Sequence, residues 1–379
     1  MSANPPGDID KLLKEFLESM SKEKREYDST SIKCGIVGRS GVGKSSLINA
    51  ITGQKLAPVG SSKETTKEAQ EFIHRGLVFV DLPGCGTKTF QTHDYVNRLK
   101  LENYDLFIFV TESRFFQDDE TIYSQLMALN KPCFLLRSKF DLALENAAHD
   151  GCTSTPDELK SEIEADIRSN LEPLQVGRIY MVSSRKPALY DLPDLLDDIV
   201  NSFSGIKRMR LENDFAAWSR KSLELKKNNA MRIAAWYASL SALNGLNPIV
   251  GLDVALDLAM LRTLGQEVAA IYNITPEQKD YWQSLLRGPE GTVLANKIVQ
   301  VIGKYGSSTA IELVLKSIAK RSTVTSLSKF VPFAGSAVAC GAGYVLTYRF
   351  GENLVNEYHS LAEEILTILK LPPAQASNG

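Results

Sequence analysis

Little in this 379-residue chain suits a disulfide framework, a thiolate metal site or a polyanion ligand. Its five cysteines (Cys34, Cys85, Cys133, Cys152 and Cys340) are odd in number, widely spaced and never arranged as C-x-x-C. They read as reduced thiols of a cytosolic protein. The four histidines (His74, His93, His149 and His359) are scattered and show no metal-ligand spacing. Forty-three basic residues against 45 acidic ones leave a net charge of −2, so nothing supports nucleic acid as a ligand. The first thirty residues are too charged for a secretory signal, Ser2 breaks the myristoylation pattern, and the PPAQASNG end carries no prenylation box. Long apolar runs are also scarce. Residues 233–252 are uncharged but broken at Asn244-Gly245-Leu246-Asn247-Pro248. Residues 330–348 are uncharged and rich in Gly and Ala, close to the ~20 residues that a bilayer span needs. Both are read as buried helices, with transient membrane contact left open.

What the chain does have is concentrated in one stretch, GRSGVGKSS. Gly38-x-x-x-x-Gly43-Lys44-Ser45 is a full phosphate-binding loop. Residues 32–37 (IKCGIV) before it read as a buried strand. Residues 45–52 (SSLINAIT) after it read as a helix with Leu47, Ile48 and Ile51 on one face. Gly41 and Gly43 let successive N–H groups, from Ser40 and Val42 through Ser46, turn toward phosphate oxygens. The helix N-terminus adds a dipole that favours an anion. Lys44, read as an exposed loop lysine, reaches the β- and γ-phosphates, and the Ser45 hydroxyl holds Mg²⁺.

The downstream motifs agree with a nucleotide site. Residues 55–66 (KLAPVGSSKETT) read as a loop in the position of a first switch, where Thr65 or Thr66 completes the Mg²⁺ shell; the sequence does not choose between them. Strands are expected at 67–74 and 77–81, joined at Arg75-Gly76. The second ends in Asp81-Leu82-Pro83-Gly84, with Asp81 binding Mg²⁺ through water and the Gly84 N–H meeting the γ-phosphate. Cys85 and Gly86 follow, where many small GTPases carry a water-orienting glutamine. After strands at 104–111 and 132–137 comes Ser138-Lys139-Phe140-Asp141, a departure from N/T-K-x-D. The Asp141 carboxylate accepts from guanine N1–H and its exocyclic amine, a donor pair that adenine lacks, so GTP and GDP are the expected ligands. A strand at 178–184 puts Ser183 and Ser184 near guanine O6.

Helices are expected at 9–26, 117–129, 156–169 and 192–203, and beyond residue 205 at 207–229, 231–243, 250–272, 276–287, 291–304, 307–321 and 350–370. The fold class is therefore α/β, a GTPase domain with a mostly parallel sheet plus an all-helical domain. The expected division is an N-terminal helical segment (1–29) that packs with the helical domain, a GTPase domain (30–204) and a C-terminal helical domain (205–379).

Taken together, the chain resembles the immunity-related GTPase family, the interferon-inducible type. The likeness rests on the phosphate loop, on YDLFI at 104–108 followed by TESRF at 111–115, and on RSKFD at 137–141. Further along it rests on VSS at 182–184 with YDLP at 190–193, and on the turns NPIVG at 247–251 and VPFAG at 331–335. Val42 within GVGKS resembles the subgroup with an ordinary lysine loop. The resemblance implies a GTPase domain with a helical domain built from both chain ends, and GTP hydrolysis with Mg²⁺ that involves Lys44, Thr65, Thr66 and Gly84. It also implies GTP-dependent association with itself or with related GTPases. A cytoplasmic protein recruited peripherally to intracellular, pathogen-containing membranes is the implied setting. Arg39, Lys63 and Glu64 are the rim residues expected at such a contact. A nucleotide-dependent scaffold that does not hydrolyse is the alternative.

Overall fold

Helix α1 (Pro6–Ser29) opens the part of the chain that the computed structural model describes, which comprises residues 6–59, 69–83, 95–112, 117–172, 174, 176–244, 253–286, 288–321 and 338–370. The chain divides into two units. One holds Thr30–Ser219, and the other joins Met1–Ser29 to Arg220–Ile368.

The first unit is built on a six-stranded sheet of β1 (Ile32–Val37), β2 (Gln70–His74), β3 (Leu77–Asp81), β4 (Leu106–Thr111), β5 (Cys133–Arg137) and β6 (Ile179–Met181), in the order β2-β3-β1-β4-β5-β6. The pair β2–β3 is antiparallel, as its two-residue turn dictates. The other four pairs are parallel. All six residues of β4 are buried, which is why that strand reads as an uninterrupted apolar run. From β1 the chain runs outward to β3 on one side and to β4 on the other. The order therefore reverses at β1, and ligands of such sheets bind at the strands' carboxyl ends there. The helices of this unit are α2 (Lys44–Thr52), α3 (Tyr95–Arg98), α4 (Gln117–Ala128), α5 (Phe140–His149), α6 (Pro156–Asn170), α7 (Leu192–Asn201) and α8 (Gly205–Asp214). Phe109 meets Tyr123 edge-on at 5.7 Å, which holds α4 on the sheet, and Phe140 meets Tyr190 edge-on at 5.2 Å, which joins the start of α5 to the residues before α7.

Residues 205–219 depart from the expected division, because they belong with the sheet. The Asp214 carboxylate, fully buried, pairs with Arg75 at 3.1 Å and Arg210 at 2.7 Å and accepts from the Gly76 N–H at 3.0 Å. A side chain at Gly76 would collide with Arg210, its Cβ falling 1.9 Å from Nε. Farther on, the Ala216 N–H donates to the Ile51 carbonyl at 2.7 Å and the Trp218 indole to that of Ala50 at 2.9 Å. These tertiary bonds hold 215–219 out of helix and split the expected 207–229 segment in two.

The second unit consists of α1, α9 (Arg220–Asn244), α10 (Asp253–Ile271), α11 (Lys279–Leu285), α12 (Gly288–Gly306), α13 (Ser308–Arg321) and α14 (Val338–Lys370). Helix α1 carries Leu17 and Tyr27 into its core, where the Tyr27 ring lies 5.6 Å from Trp236. Lys24 bonds Asp28 at 2.7 Å and Glu267 at 3.0 Å, and Tyr237 donates to Glu267 at 2.9 Å. Buried Lys226 donates to the Ile271 carbonyl, closing the buried carboxyl end of α10. The turns at 247–251 and 331–335 lie outside the described residues. So do residues 330–337 of the second apolar stretch, whose remainder opens α14. No helix among the described residues is long and apolar enough to cross a membrane.

Candidate functional site

The carboxyl ends of β1, β3, β5 and β6 bring the sequence motifs to one edge of the sheet. Gly38 follows β1 with φ 148°, and a Cβ there would fall 2.2 Å from the Val110 carbonyl oxygen. Any side chain would push the loop off the strand. Gly43, at φ 97°, is the left-handed residue that turns the loop into α2, and its position suits glycine because no Cβ has to be accommodated. The loop residues Ser40 and Gly41 are exposed, Val42 is buried, and Ser45 and Ser46 are half-buried at the start of α2.

Lys44 is not the exposed lysine that the motif suggests. It is 6% exposed and folds back over its own loop. Its ammonium donates to the carbonyls of Gly38 at 2.9 Å and Arg39 at 3.0 Å, and lies 3.5 Å from Asp81 Oδ1. Asp81 ends β3 beside it, and the Ser45 hydroxyl donates to Asp81 Oδ2 at 3.4 Å. Burial raises the Asp81 carboxyl above the ordinary carboxylate range, with the charge and hydrogen bond of Lys44 and the hydrogen bond of Ser45 opposing the rise. Asp81 Oδ1 is buried, with the Lys44 ammonium 3.5 Å away. A buried carboxylate next to a serine hydroxyl suits a Mg²⁺ shell of oxygen ligands.

The base motif is tied to the phosphate loop. Ser138 is buried, and its hydroxyl donates to the Val42 carbonyl at 2.5 Å with the Thr111 carbonyl at 3.1 Å. Lys139 takes a left-handed conformation, φ 55°, that lays its stem across the loop. Its ammonium donates to the Gly41 carbonyl at 2.8 Å and pairs with Glu112 at 2.8 Å. Asp141 is buried in the first turn of α5. Nearby, burial first and then the charges of Asp141 and Glu145 raise the Tyr190 phenol. Arg137, lowered by burial, donates to the Ser138 carbonyl at 2.7 Å and stiffens the strand end.

Ser183 is fully buried, and its hydroxyl accepts from the N–H groups of Arg185 at 3.2 Å and Lys186 at 3.1 Å. The side chain is used inside the loop, while half-buried Ser184 lies next to it. Strand β6 is shorter than expected, and at this sheet edge the Asp191 carboxylate accepts from the Met181 N–H at 2.8 Å. Thr65, Thr66, Gly84, Lys63 and Glu64 lie outside the described residues. Arg39 stands 4.0 Å from Asp119 at the rim. Two residues that the sequence reading missed complete the site. Glu112 steers Lys139. Asn49 grips the start of the loop after α2 through its carboxamide, Nδ2 donating to the Ala57 carbonyl at 2.8 Å and Oδ1 accepting from the Ala57 N–H at 2.7 Å. Glu112 directly follows the β4 run, and no pairing pattern in the sequence marks either residue.

The comparisons with known proteins point the same way. A sequence model described as interferon-inducible GTPase (IIGP) matches residues 9–266. The chain is 28% identical to "Interferon-inducible GTPase 1" of Mus musculus over 252 residues, 63% of this chain and 60% of that protein. It is 24% identical to "Interferon-inducible GTPase 5" of Rattus norvegicus over 361 residues, 89% of this chain and 75% of that protein. The match therefore spans about three fifths of the mouse relative. Among solved structures, the FeoB G-domain of Methanococcus jannaschii is 22% identical and covers 47% of this chain and 99% of that one, with a TM-score of 0.29 that adds nothing to the fold.

Proposed function

The chain belongs to the interferon-inducible GTPase family, and from that premise we propose that it binds GTP and GDP with Mg²⁺ and hydrolyses GTP to GDP and phosphate. The observation that carries the reading is the convergence of Lys44, Ser45 and Asp81 at the carboxyl ends of β1 and β3, with Ser138 bonded to the same loop. Ser45, directly, and Asp81, through water, would hold the ion, which neutralises phosphate charge as the terminal phosphoryl group leaves. On binding, the Lys44 ammonium leaves the Gly38 and Arg39 carbonyls for phosphate oxygens, and loop N–H groups take the rest. Asp141 accepts from the guanine edge, while Lys139 lies along the base with its stem over the loop. Thr65 or Thr66 is proposed for the ion's remaining site and the Gly84 N–H for the terminal phosphate.

With Cys85 and Gly86 where a glutamine would orient water, the isolated chain is proposed to be slow. A second copy or a related GTPase is proposed to dock across the nucleotide face against the loop at 55–66, with Arg39, Lys63 and Glu64 as the proposed contacts. Self-assembly of this kind, with peripheral recruitment to pathogen-containing membranes from the cytoplasm, is the proposed defence role; the family name itself supports GTP chemistry and an immunity setting. The direct test is nucleotide titration of the parent and Lys44→Ala. The parent should bind GTP and GDP in preference to ATP, and Lys44→Ala should lose that binding. Equal affinity in the two would remove Lys44 from the site.

A further inference from the structure

In the helical unit, well separated in sequence, three ligating side chains from two helices converge. His359 and Glu363 sit one turn apart on α14, and Glu224 lies near the start of α9. His359 Nε2 stands 3.3 Å from Glu224 Oε1 and 3.9 Å from Glu363 Oε1, and one ligand atom from each of the three lies within 4.8 Å of the others. Donors bound to a four-coordinate ion at about 2.0–2.1 Å sit roughly 3.3–3.5 Å apart, so little movement is needed to close on one.

The imidazole is prepared for this. Its side chain is 7% exposed, so the ring cannot swing away. Tyr272 stacks edge-on at 6.0 Å, and its hydroxyl is 3.4 Å from Nδ1. Occupying Nδ1 from behind leaves Nε2 directed at the two carboxylates, the arrangement in which a ligating histidine is oriented through its other ring nitrogen. The carboxylates are on the open side, 61% and 50% exposed, where water completes a shell. Two like charges held together on one imidazole nitrogen favour a cation between them.

We propose that Glu224, His359 and Glu363 form a zinc site, with Nε2 and one oxygen from each glutamate as ligands and water in the fourth position. One nitrogen and two carboxylates suit Zn²⁺, whereas Mg²⁺ asks for a near-octahedral set of oxygens. The bound ion ties the start of α9 to α14 and so stabilises the helical unit. The site is independent of the nucleotide reading.

The test uses the full chain with Mg²⁺ and GDP in excess, titrated with Zn²⁺ by calorimetry and with Co²⁺ by visible absorption. The parent should take up one more equivalent than the Glu224→Gln/Glu363→Gln double variant and show a four-coordinate Co²⁺ spectrum. Its melting temperature should rise with Zn²⁺ but not with further Mg²⁺. Each single Gln variant should bind at least about tenfold more weakly, since removing even an outer partner of a metal ligand costs roughly 10–100-fold. Because both carboxylates are exposed, these variants should melt with or above the parent when no metal is added. The double variant keeps every thiol, including exposed Cys152, so the difference isolates this site. Equal uptake and equal melting by parent and double variant would mean that the three side chains make an ordinary ion-pair cluster, and would overturn the proposal.

Discussion

The Ser138 hydroxyl donates to the carbonyl of Val42 at 2.5 Å, a bond between residues 96 apart that joins the guanine motif to the phosphate loop. The serine that departs from the usual motif thus serves the loop from inside the protein, where it is 3% exposed. The two motifs are thereby mechanically joined.

Ser138→Ala should therefore affect both halves together. Removing a buried donor leaves the Val42 carbonyl short of a partner, a cost of about 1–3 kcal/mol. The nucleotide-free chain should melt lower, and GDP and GTP affinity should fall by similar factors in fluorescence titrations. Ser138→Thr keeps the hydroxyl and should restore both. A variant that loses only GTP would place Ser138 elsewhere in the mechanism.

Asp81 gives a pH dependence with a definite sign. Burial raises its carboxyl above the ordinary range. Between that range and the raised value the folded chain binds more protons than the unfolded chain, so this group's contribution to stability is present in acid and is lost as pH rises. Asp81→Asn removes that loss. Without nucleotide, the variant should melt above the parent at neutral pH, with the gap closing as pH falls through the raised value. The same substitution should weaken Mg²⁺-dependent GTP binding. A gap that widens toward acid would reverse the assignment.

Asp141→Asn should weaken GTP binding roughly 10–100-fold, in line with the ~1.5–3 kcal/mol of a hydrogen bond to a charged group. It should also favour xanthosine triphosphate, whose second carbonyl accepts from the carboxamide. Competition between the two nucleotides is the readout. An unchanged GTP preference would remove Asp141 from base recognition.

The centre of the sheet was legible because β1, β3 and β4 are almost wholly buried and read as apolar runs. Strands 32–37 and 77–81 coincide with β1 and β3. Helix α5 was hidden because its first turn, Phe140-Asp141, was read as motif rather than as the start of a helix. The break at 215–219 was invisible because no Gly or Pro makes it. It is made by the bonds of Ala216 and Trp218 to the end of α2. The motifs pick out Lys44, Ser45, Asp81 and Asp141 as candidates, but not the buried pose of Lys44, which depends on the Gly38 and Arg39 carbonyls and on Asp81 at the end of a different strand. The meeting of Glu224 with His359 is likewise a product of helix packing, which spacing along the chain cannot announce.

The central claim is that this site hydrolyses GTP and does so faster when copies meet. Supplying a missing catalytic group across an interface can raise phosphoryl transfer by ~10³-fold or more. The measurement is initial phosphate release from GTP and from ATP across a wide range of protein concentration, with light scattering on the same samples and Lys44→Ala alongside. The account predicts release from GTP and not ATP, specific activity that rises with concentration, scattering species that form with GTP, and loss of all three in Lys44→Ala. No GTP-specific release at any concentration, or release that survives in Lys44→Ala, would contradict it, and a flat specific activity without assembly would contradict the coupling to a second copy.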